Sequence, residues 1–302
     1  MRSGILGPLF VLDDGGGQIA LSVRLRTLLA ALLVHANRAV AVEELAEIVW
    51  DGAPPGEAQR TLRSYMVRLR HALGPGAGAR IETRSPGYLI RVEPDELDML
   101  RFETLRRDVG VALRADRWAQ ASDAAAEALG LWRGSPLLDV PSRVLRDGLV
   151  PRLEQLHIGL LEDHAEARLQ LGAHESLVPE LRELARAHPL RERFHAQLMT
   201  ALACSGRRAE ALEAYRDARL TLVGQLGVEP GPELRELHQR VLAGEDTGPV
   251  AKPSPGQATG PGPAVGTGPR QLPAAPGHFT GRRGELDLLT DTADRSAAAG
   301  PG

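Results

Sequence analysis

The first third of the chain alternates between short apolar segments and helical repeats. Residues 4–23 alternate apolar and other side chains on either side of residues 13–17, an Asp- and Gly-rich run that is typical of a turn between two strands. Leucines then recur at helical spacing over residues 24–36, and the pattern returns over residues 42–50. The sequence therefore predicts a β-hairpin followed by two short helices.

The third predicted helix, residues 57–73, lies between Gly- and Pro-rich breaks and has two chemically distinct faces. At about 100° per residue, its large apolar side chains fall within a stripe of about 100°. These apolar residues are Leu62, Tyr65, Met66, Leu69 and Leu73. The opposite face carries no acidic residue after Glu57, the first residue of the segment, and consists of Arg60, Arg63, Ser64, Val67, Arg68 and His71.

The basic face of this helix fits contact with a DNA major groove. The planar fork of an arginine can grip O6 and N7 of a guanine or a phosphate, whereas a carboxylate there would repel the duplex. A solvated helix surface usually mixes both signs of charge. Groove contact is therefore the favoured interpretation, and a plain solvated face is the alternative.

A second hairpin follows this helix. Residues 81–84 and 88–91 flank Ser85-Pro86-Gly87, a tight-turn signal. Strands, three helices and a hairpin in this order predict a winged helix-turn-helix, whose third helix enters the major groove while the wing contacts the backbone or the minor groove. The candidate backbone or wing contacts are Arg24, Arg26, Arg70, Arg84 and Tyr88.

Residues 96–244 are helical in composition, with short breaks around glycine and proline. Several residue pairs repeat at a spacing of 34, among them Gly172 with Gly206 and Leu181 with Tyr215. That spacing is the length of a tetratricopeptide repeat. An arbitrary helical bundle stays open as the alternative, because the spacing rests on few pairs. The predicted fold class is mainly α, an N-terminal α+β winged helix-turn-helix domain followed by an all-α tetratricopeptide-like domain.

Charge and composition narrow the function classes. The net charge is −3, yet residues 57–91 hold seven arginines against two glutamates, whereas residues 96–246 hold 20 arginines against 25 acidic residues. A locally basic segment in a mildly acidic chain is typical of a DNA-reading module joined to a protein-binding module. The one lysine, Lys252, lies in AKPSP, so no P-loop occurs in this chain.

Motifs for catalysis and metal binding are missing from the sequence. It contains neither HExxH nor GxSxG, and its one cysteine excludes a CxxC site. His157 and His164 lie seven residues apart with no third ligand at metal spacing, and we expect both at the surface. We predict neither an enzyme nor a metal site nor a cofactor.

The longest uninterrupted apolar run has seven residues, and the N-terminus lacks a signal-peptide pattern. We therefore expect a soluble, cytoplasmic protein with no membrane contact.

Residues 247–278 hold eight prolines and seven glycines, a composition that predicts a disordered linker. The predicted domains are thus residues 1–95 and 96–246, followed by this linker and by residues 279–302.

Two groups of sequence motifs occur here in the same order as in one known protein family. DGAPPGEAQRTLRSYMVRLRHALG followed by IETRSPGYLI resembles the OmpR-type winged helix of the Streptomyces antibiotic regulatory proteins, the AfsR-type activators. HPLRERFHAQLMTAL, SGRRAEALEAYRDARLTL and LGVEPGPELRELHQRVL are similar to the bacterial transcriptional activator domain of that family. Residues 279–302 resemble the remnant or start of a nucleotide-binding domain, from which we carry over no ATPase activity.

The resemblance implies a sequence-specific DNA-binding transcriptional activator. It implies binding as a homodimer to direct repeats in double-stranded promoter DNA, recruitment of RNA polymerase, and control of secondary-metabolite gene clusters. We expect the polymerase contact in the loop that contains Trp50, Asp51, Pro54 and Pro55. The alternatives are a helical-repeat adaptor that docks protein partners and a fragment of an ATP-driven regulatory switch.

Overall fold

The computed structural model describes residues 1–245, and the predicted linker and the segment 279–302 lie outside them. The described part is mostly helical, with short strands confined to its first 90 residues. The strands are β1 (Arg2–Gly4), β2 (Phe10–Leu12), β3 (Val40–Ala41), β4 (Ile81–Arg84) and β5 (Gly87–Ile90). The helices are α1 (Val23–Val34), α2 (Val42–Val49), α3 (Ala58–Ala79), α4 (Asp98–Arg114), α5 (Trp118–Gly130), α6 (Arg143–Gln170), α7 (His174–Ala187), α8 (Glu192–Cys204), α9 (Arg208–Leu226) and α10 (Pro232–Ala243).

The turn of the predicted N-terminal hairpin forms, but the strand before it pairs with a different segment than predicted. The Asp13 carboxylate accepts hydrogen bonds from the amides of Gly15 and Gly17, which fixes the Gly-rich tip. Beyond the tip, only a single bridge between Leu12 and Gln18 continues the pairing. The antiparallel partner of β2 is instead β1, at the extreme N-terminus, a strand that the sequence pattern did not reveal.

The wing belongs to a three-stranded sheet of order β3-β5-β4. The predicted hairpin forms β4 and β5, with Ile81 opposite Ile90 and Arg84 opposite Gly87. The two-residue strand β3 joins the free edge of β5, where Ala41 lies opposite Gly87. This strand is too short to produce a pattern in the sequence, yet it attaches the wing to the segment between α1 and α2.

Helix α3 follows its predicted pattern closely. Its apolar stripe is buried against α1 and α2, with Leu62, Met66 and Leu69 almost completely excluded from solvent. The helical backbone is interrupted at Gly74, which adopts a left-handed conformation with a φ of 80°. Only glycine adopts this conformation at little cost, so the predicted end of the recognition segment coincides with the break.

The 34-residue spacing reflects a repeated turn between paired helices. The pairs α6–α7 and α8–α9 each turn at a glycine with positive φ, Gly172 and Gly206. In each turn the amide of the third residue after the helix donates to a carbonyl five residues earlier, from Ala173 to Arg168 and from Arg207 to Leu202. The pair α4–α5 has the same hydrogen bond, and these helix pairs confirm the predicted fold class.

The hydrophobic core does not divide at residue 95. One cluster of buried side chains runs from Met1 through α1–α5 and into α6 as far as Leu160. A second cluster begins at Ala165 and extends to α10. Because the first half of α6 packs with the winged helix, the two predicted domains share a core within one compact unit.

A buried carboxylate strengthens this connection. Asp98, at the start of α4, accepts hydrogen bonds from the amides of Ile5 and Leu6 at 2.8 and 3.0 Å. Its carboxylate also pairs with Arg133 at 3.0 Å, while burial raises the pKa of Asp98 above its ordinary value. The N-terminal sheet is thereby fixed to the first helices of the activator region.

Candidate DNA-binding interface

The structure brings the predicted basic face of α3 to the surface as one continuous patch. All six residues of that face are solvent-exposed, and they lie opposite the buried apolar stripe. We call this patch the α3 face; it comprises Arg60, Arg63, Ser64, Val67, Arg68 and His71. The helix that carries it is held by core packing on its other side, so the patch is presented on a rigid element.

The cationic groups of the α3 face are largely uncommitted. Within residues 1–245, Arg63, Arg68 and His71 take part in no hydrogen bond or ion pair. Arg60 is 85% exposed and lies 3.5 Å from the carboxylate of Glu57. An exposed pair of this kind contributes little to stability. The guanidinium groups are therefore free to meet an anionic or hydrogen-bonding ligand.

The wing adds a second cationic surface. Arg84 lies beside the turn, is 60% exposed, and pairs with Glu82 at 2.8 Å. Arg91, which sequence reasoning did not select, pairs with the other oxygen of the same carboxylate at 3.2 Å. Hydrogen bonds from Arg84 and then from Arg91 hold the pKa of Glu82 below its ordinary value. Glu82 thus holds both wing arginines on one face of the hairpin.

Arg70 and Tyr88 do not lie where the sequence prediction placed them. The Arg70 guanidinium donates two hydrogen bonds to the carbonyl of Ile81 and one to the hydroxyl of Thr83. It also lies 5.8 Å from the centre of the Tyr88 ring, which is only 8% exposed. These side chains join α3 to the wing, and we remove both from the set of DNA contacts.

Replacing Arg70 by alanine should destabilise the winged helix. The change leaves the Ile81 carbonyl without its guanidinium donor and removes the charge above Tyr88, and hydrogen bonds to charged groups each contribute about 1.5–3 kcal/mol. We expect the free energy of unfolding from urea denaturation to fall by about 2 kcal/mol. Arg70→Lys serves as the partial control, because one ammonium cannot reproduce the fork. Unchanged stability in Arg70→Ala would contradict this structural role.

Arg24 and Arg26 are also engaged within the protein. Arg24 donates a hydrogen bond to the carbonyl of Val49 at the end of α2. Arg26 forms an ion pair with Asp139 at 2.5 Å, in the connection between α5 and α6. The predicted backbone contact is therefore not supported for Arg26, whose guanidinium faces the helical region.

Comparisons with known proteins agree with these two parts. Residues 16–90 match the family described as "Transcriptional regulatory protein, C terminal", and residues 97–242 match the "Bacterial transcriptional activator domain". Regulatory protein DnrI of Streptomyces peucetius is 35% identical over 250 residues, which cover 80% of this chain and 92% of DnrI. The chain belongs to the Streptomyces antibiotic regulatory protein family.

Two further relatives match this chain over a smaller share of their own length. Regulatory protein AfsR of Streptomyces coelicolor is 38% identical over 301 residues, or 99% of this chain, but the chain spans only 29% of AfsR. A solved structure of Mycobacterium tuberculosis EmbR in complex with a low affinity phosphopeptide matches with a TM-score of 0.76 and 32% identity. The match covers 81% of this chain and 65% of the EmbR chain.

In this family member, the loop between α2 and α3 is only partly available to a partner. Trp50 is half-buried and stacks on Tyr65 with ring centres 5.9 Å apart. Asp51 accepts hydrogen bonds from the amides of Arg143 and Val144 at 2.6 and 3.1 Å, so it binds the start of α6. Of the predicted polymerase contacts, the structure leaves Pro54 and Pro55 exposed.

Neutralising Asp51 should weaken its contact with α6. The hydrogen bond from the Val144 amide is the largest cause that lowers the pKa of Asp51 from its ordinary 3.8. We expect Asp51→Asn, which tolerates the left-handed backbone at this position, to lower the Tm at pH 7 by a small but measurable amount.

The pH dependence of this effect has a definite sign. Because the folded-state pKa lies below 3.8, the ionised carboxylate stabilises the fold above that value, and its contribution is lost as the pH falls through the folded-state pKa. The Tm difference between wild type and Asp51→Asn should therefore be constant from neutral pH down to about pH 5. It should shrink as the pH falls below 3.8. A difference that grows on acidification would exclude the contact as its cause.

His157 and His164 are half-buried, whereas the sequence analysis placed both at the surface. The centre of the His157 ring lies 4.2 Å from that of the Trp132 ring. Burial lowers the pKa of both histidines.

The described residues contain no group of three or more side chains arranged to hold a metal ion. None of the helices within residues 1–245 is both long and apolar enough to cross a bilayer.

Proposed function

We propose that this protein is a sequence-specific DNA-binding transcriptional activator. Helix α3 enters the major groove, with the α3 face toward the bases. Arg84 and Arg91 of the wing contact the DNA backbone or an adjacent minor groove. Phosphate contacts fix the register of the protein on the duplex, while contacts to base edges provide specificity.

The observation that carries the proposal is the uncommitted state of Arg63 and Arg68. Elsewhere in the described part, many arginines are paired with carboxylates, such as Arg168 with Glu180 at 2.6 Å and Arg219 with Glu229 at 2.6 Å. The two arginines lie instead on a helix that contains no acidic residue between Ala58 and Ala79. Glu57, at its N-cap, pairs with Arg60. This is the helix that a winged helix-turn-helix inserts into DNA. Their planar forks suit guanine edges and phosphates.

As an activator, the protein would contact a second protomer and RNA polymerase as well as DNA. We infer that two protomers bind direct repeats near a promoter and recruit RNA polymerase, in control of secondary-metabolite genes in the cytoplasm. The exposed Pro54 and Pro55 and the helical repeats α4–α10 are the surfaces available for such contacts. Because the winged helix shares its core with α4–α6, DNA that orients α3 also orients these repeats.

Footprinting of the full chain on promoter fragments tests this function. We expect protection of spaced, similar half-sites, and we expect added RNA polymerase to extend the protected region toward the start site. Run-off transcription from the same fragments should increase with the protein present. Absent or sequence-independent DNA binding, together with retained protein partners, would favour the alternative of a helical-repeat adaptor.

A further inference from the structure

One residue of the α3 face differs chemically from its neighbours. Val67 is aliphatic and 64% exposed, whereas the other members of the face are arginine, serine or histidine. Arg63 and His71 lie one turn before and one turn after it, so Val67 is at the middle of the face along the helix.

The position of Val67 around the helix is equally central. With about 100° per residue, Val67 lies within about 40° of the direction opposite to the buried stripe, as do Arg60, Ser64 and His71. Val67 is the apolar residue among these four. Arg63 and Arg68 lie about 60–80° away from that direction on either side. When such a helix enters a groove, the central residues come nearest to the base edges and the flanking residues come nearest to the strands that form its walls. A short side chain at the centre allows close approach.

The chemistry of an isopropyl group restricts what it can recognise there. It neither donates nor accepts a hydrogen bond, and against a polar base edge it would leave donors or acceptors without partners. In the major groove, thymine is the base that presents an apolar group, its C5-methyl. Resting on the proposed DNA-binding function, we infer that Val67 selects thymine in the operator through contact with this methyl group.

The inference can be tested one methyl group at a time. A duplex is first selected by the full chain from a random library, and each thymine in the protected region is then replaced by deoxyuridine, which lacks the methyl and keeps the base pair. Competition binding should reveal a thymine whose replacement weakens wild-type binding about fourfold, the effect of losing one buried methyl group.

Variants assign this effect to Val67. With Val67→Ala the same deoxyuridine replacement should have little further effect, whereas Val67→Ile should keep the full dependence on the methyl. Leu220→Ala is the matched control, because Leu220 is an aliphatic residue that is 69% exposed on α9, and it should behave as wild type.

The outcomes separate this inference from the proposed function. Specific binding in which no thymine methyl matters, or in which the methyl effect persists in Val67→Ala, overturns the role of Val67 and leaves DNA binding intact. Failure to select any duplex overturns both. A methyl effect that is present in wild type and Val67→Ile but absent in Val67→Ala supports the assignment.

Discussion

Replacing Arg63 and Arg68 together by alanine should remove most sequence-specific DNA binding and leave the fold unchanged. Each arginine that contacts a base or phosphate contributes about 1–3 kcal/mol, so the double variant should lose about 2–6 kcal/mol if the effects add. Neither side chain has a hydrogen bond or ion pair within residues 1–245, so the expected change in Tm is small. Competition binding at fixed salt measures the loss.

The matched control is a double variant of two arginines far from α3. Arg216 and Arg235 are exposed on α9 and α10, and their replacement by alanine changes the net charge by the same amount. This control should keep nearly all specific affinity. If both double variants lose affinity equally, overall charge rather than the α3 face determines binding.

Salt dependence then distinguishes the roles of the two arginines. Each phosphate contact adds about 0.9 to the slope of log affinity against log salt concentration. A single variant that lowers affinity uniformly across sequences and reduces this slope has lost a phosphate contact. A variant that keeps the slope and relaxes the preference for one base has lost a base contact.

Replacing Gly87 by alanine should disrupt the wing. A Cβ atom at this position would lie 1.8 Å from the carbonyl oxygen of Val40 and 2.9 Å from the Cα atom of Ala41. Both atoms belong to the backbone of β3 and cannot rotate away, so β3 and β5 must separate. We expect the free energy of unfolding to fall by about 3 kcal/mol or more, at the upper end of overpacking effects.

Gly148→Ala provides the matched control for this variant. Gly148 lies within α6, and an added Cβ there meets no atom within 4 Å. Alanine in a helix should raise stability by about 0.5–1 kcal/mol. Urea denaturation of both variants gives the comparison, and equal effects at the two positions would show that the close approach of β3 to β5 is not a constraint.

The parts of the fold that sequence reasoning predicted are those with a strong local period. The two faces of α3 follow from residue spacing alone, because burial of Leu62 and Leu69 fixes the rotation of the helix. The turns at Gly172 and Gly206 were predictable because positive φ favours glycine. In both cases the information lies within a few residues of the feature.

The features that sequence reasoning missed depend on contacts distant in the chain. Asp51 meets Arg143 across 92 residues, and Arg26 meets Asp139 across 113. No local pattern therefore assigns these charges to the domain junction rather than to a polymerase contact for Asp51 or a DNA contact for Arg26. Arg70 was misplaced for a related reason. On the helix wheel it lies at the margin of the α3 face, and only the folded wing shows that its guanidinium reaches Ile81.

The position of α3 on DNA is tested most directly by chemical protection of guanine N7, which lies in the major groove. The selected duplex is methylated with dimethyl sulfate in the presence of wild-type protein or of the double variant of Arg63 and Arg68. We expect wild-type protein to protect guanines within each half-site, and we expect the double variant, at concentrations that restore occupancy, to leave at least one of them reactive. Full occupancy without major-groove protection, or protection that the double variant leaves unchanged, would contradict recognition of DNA by the α3 face.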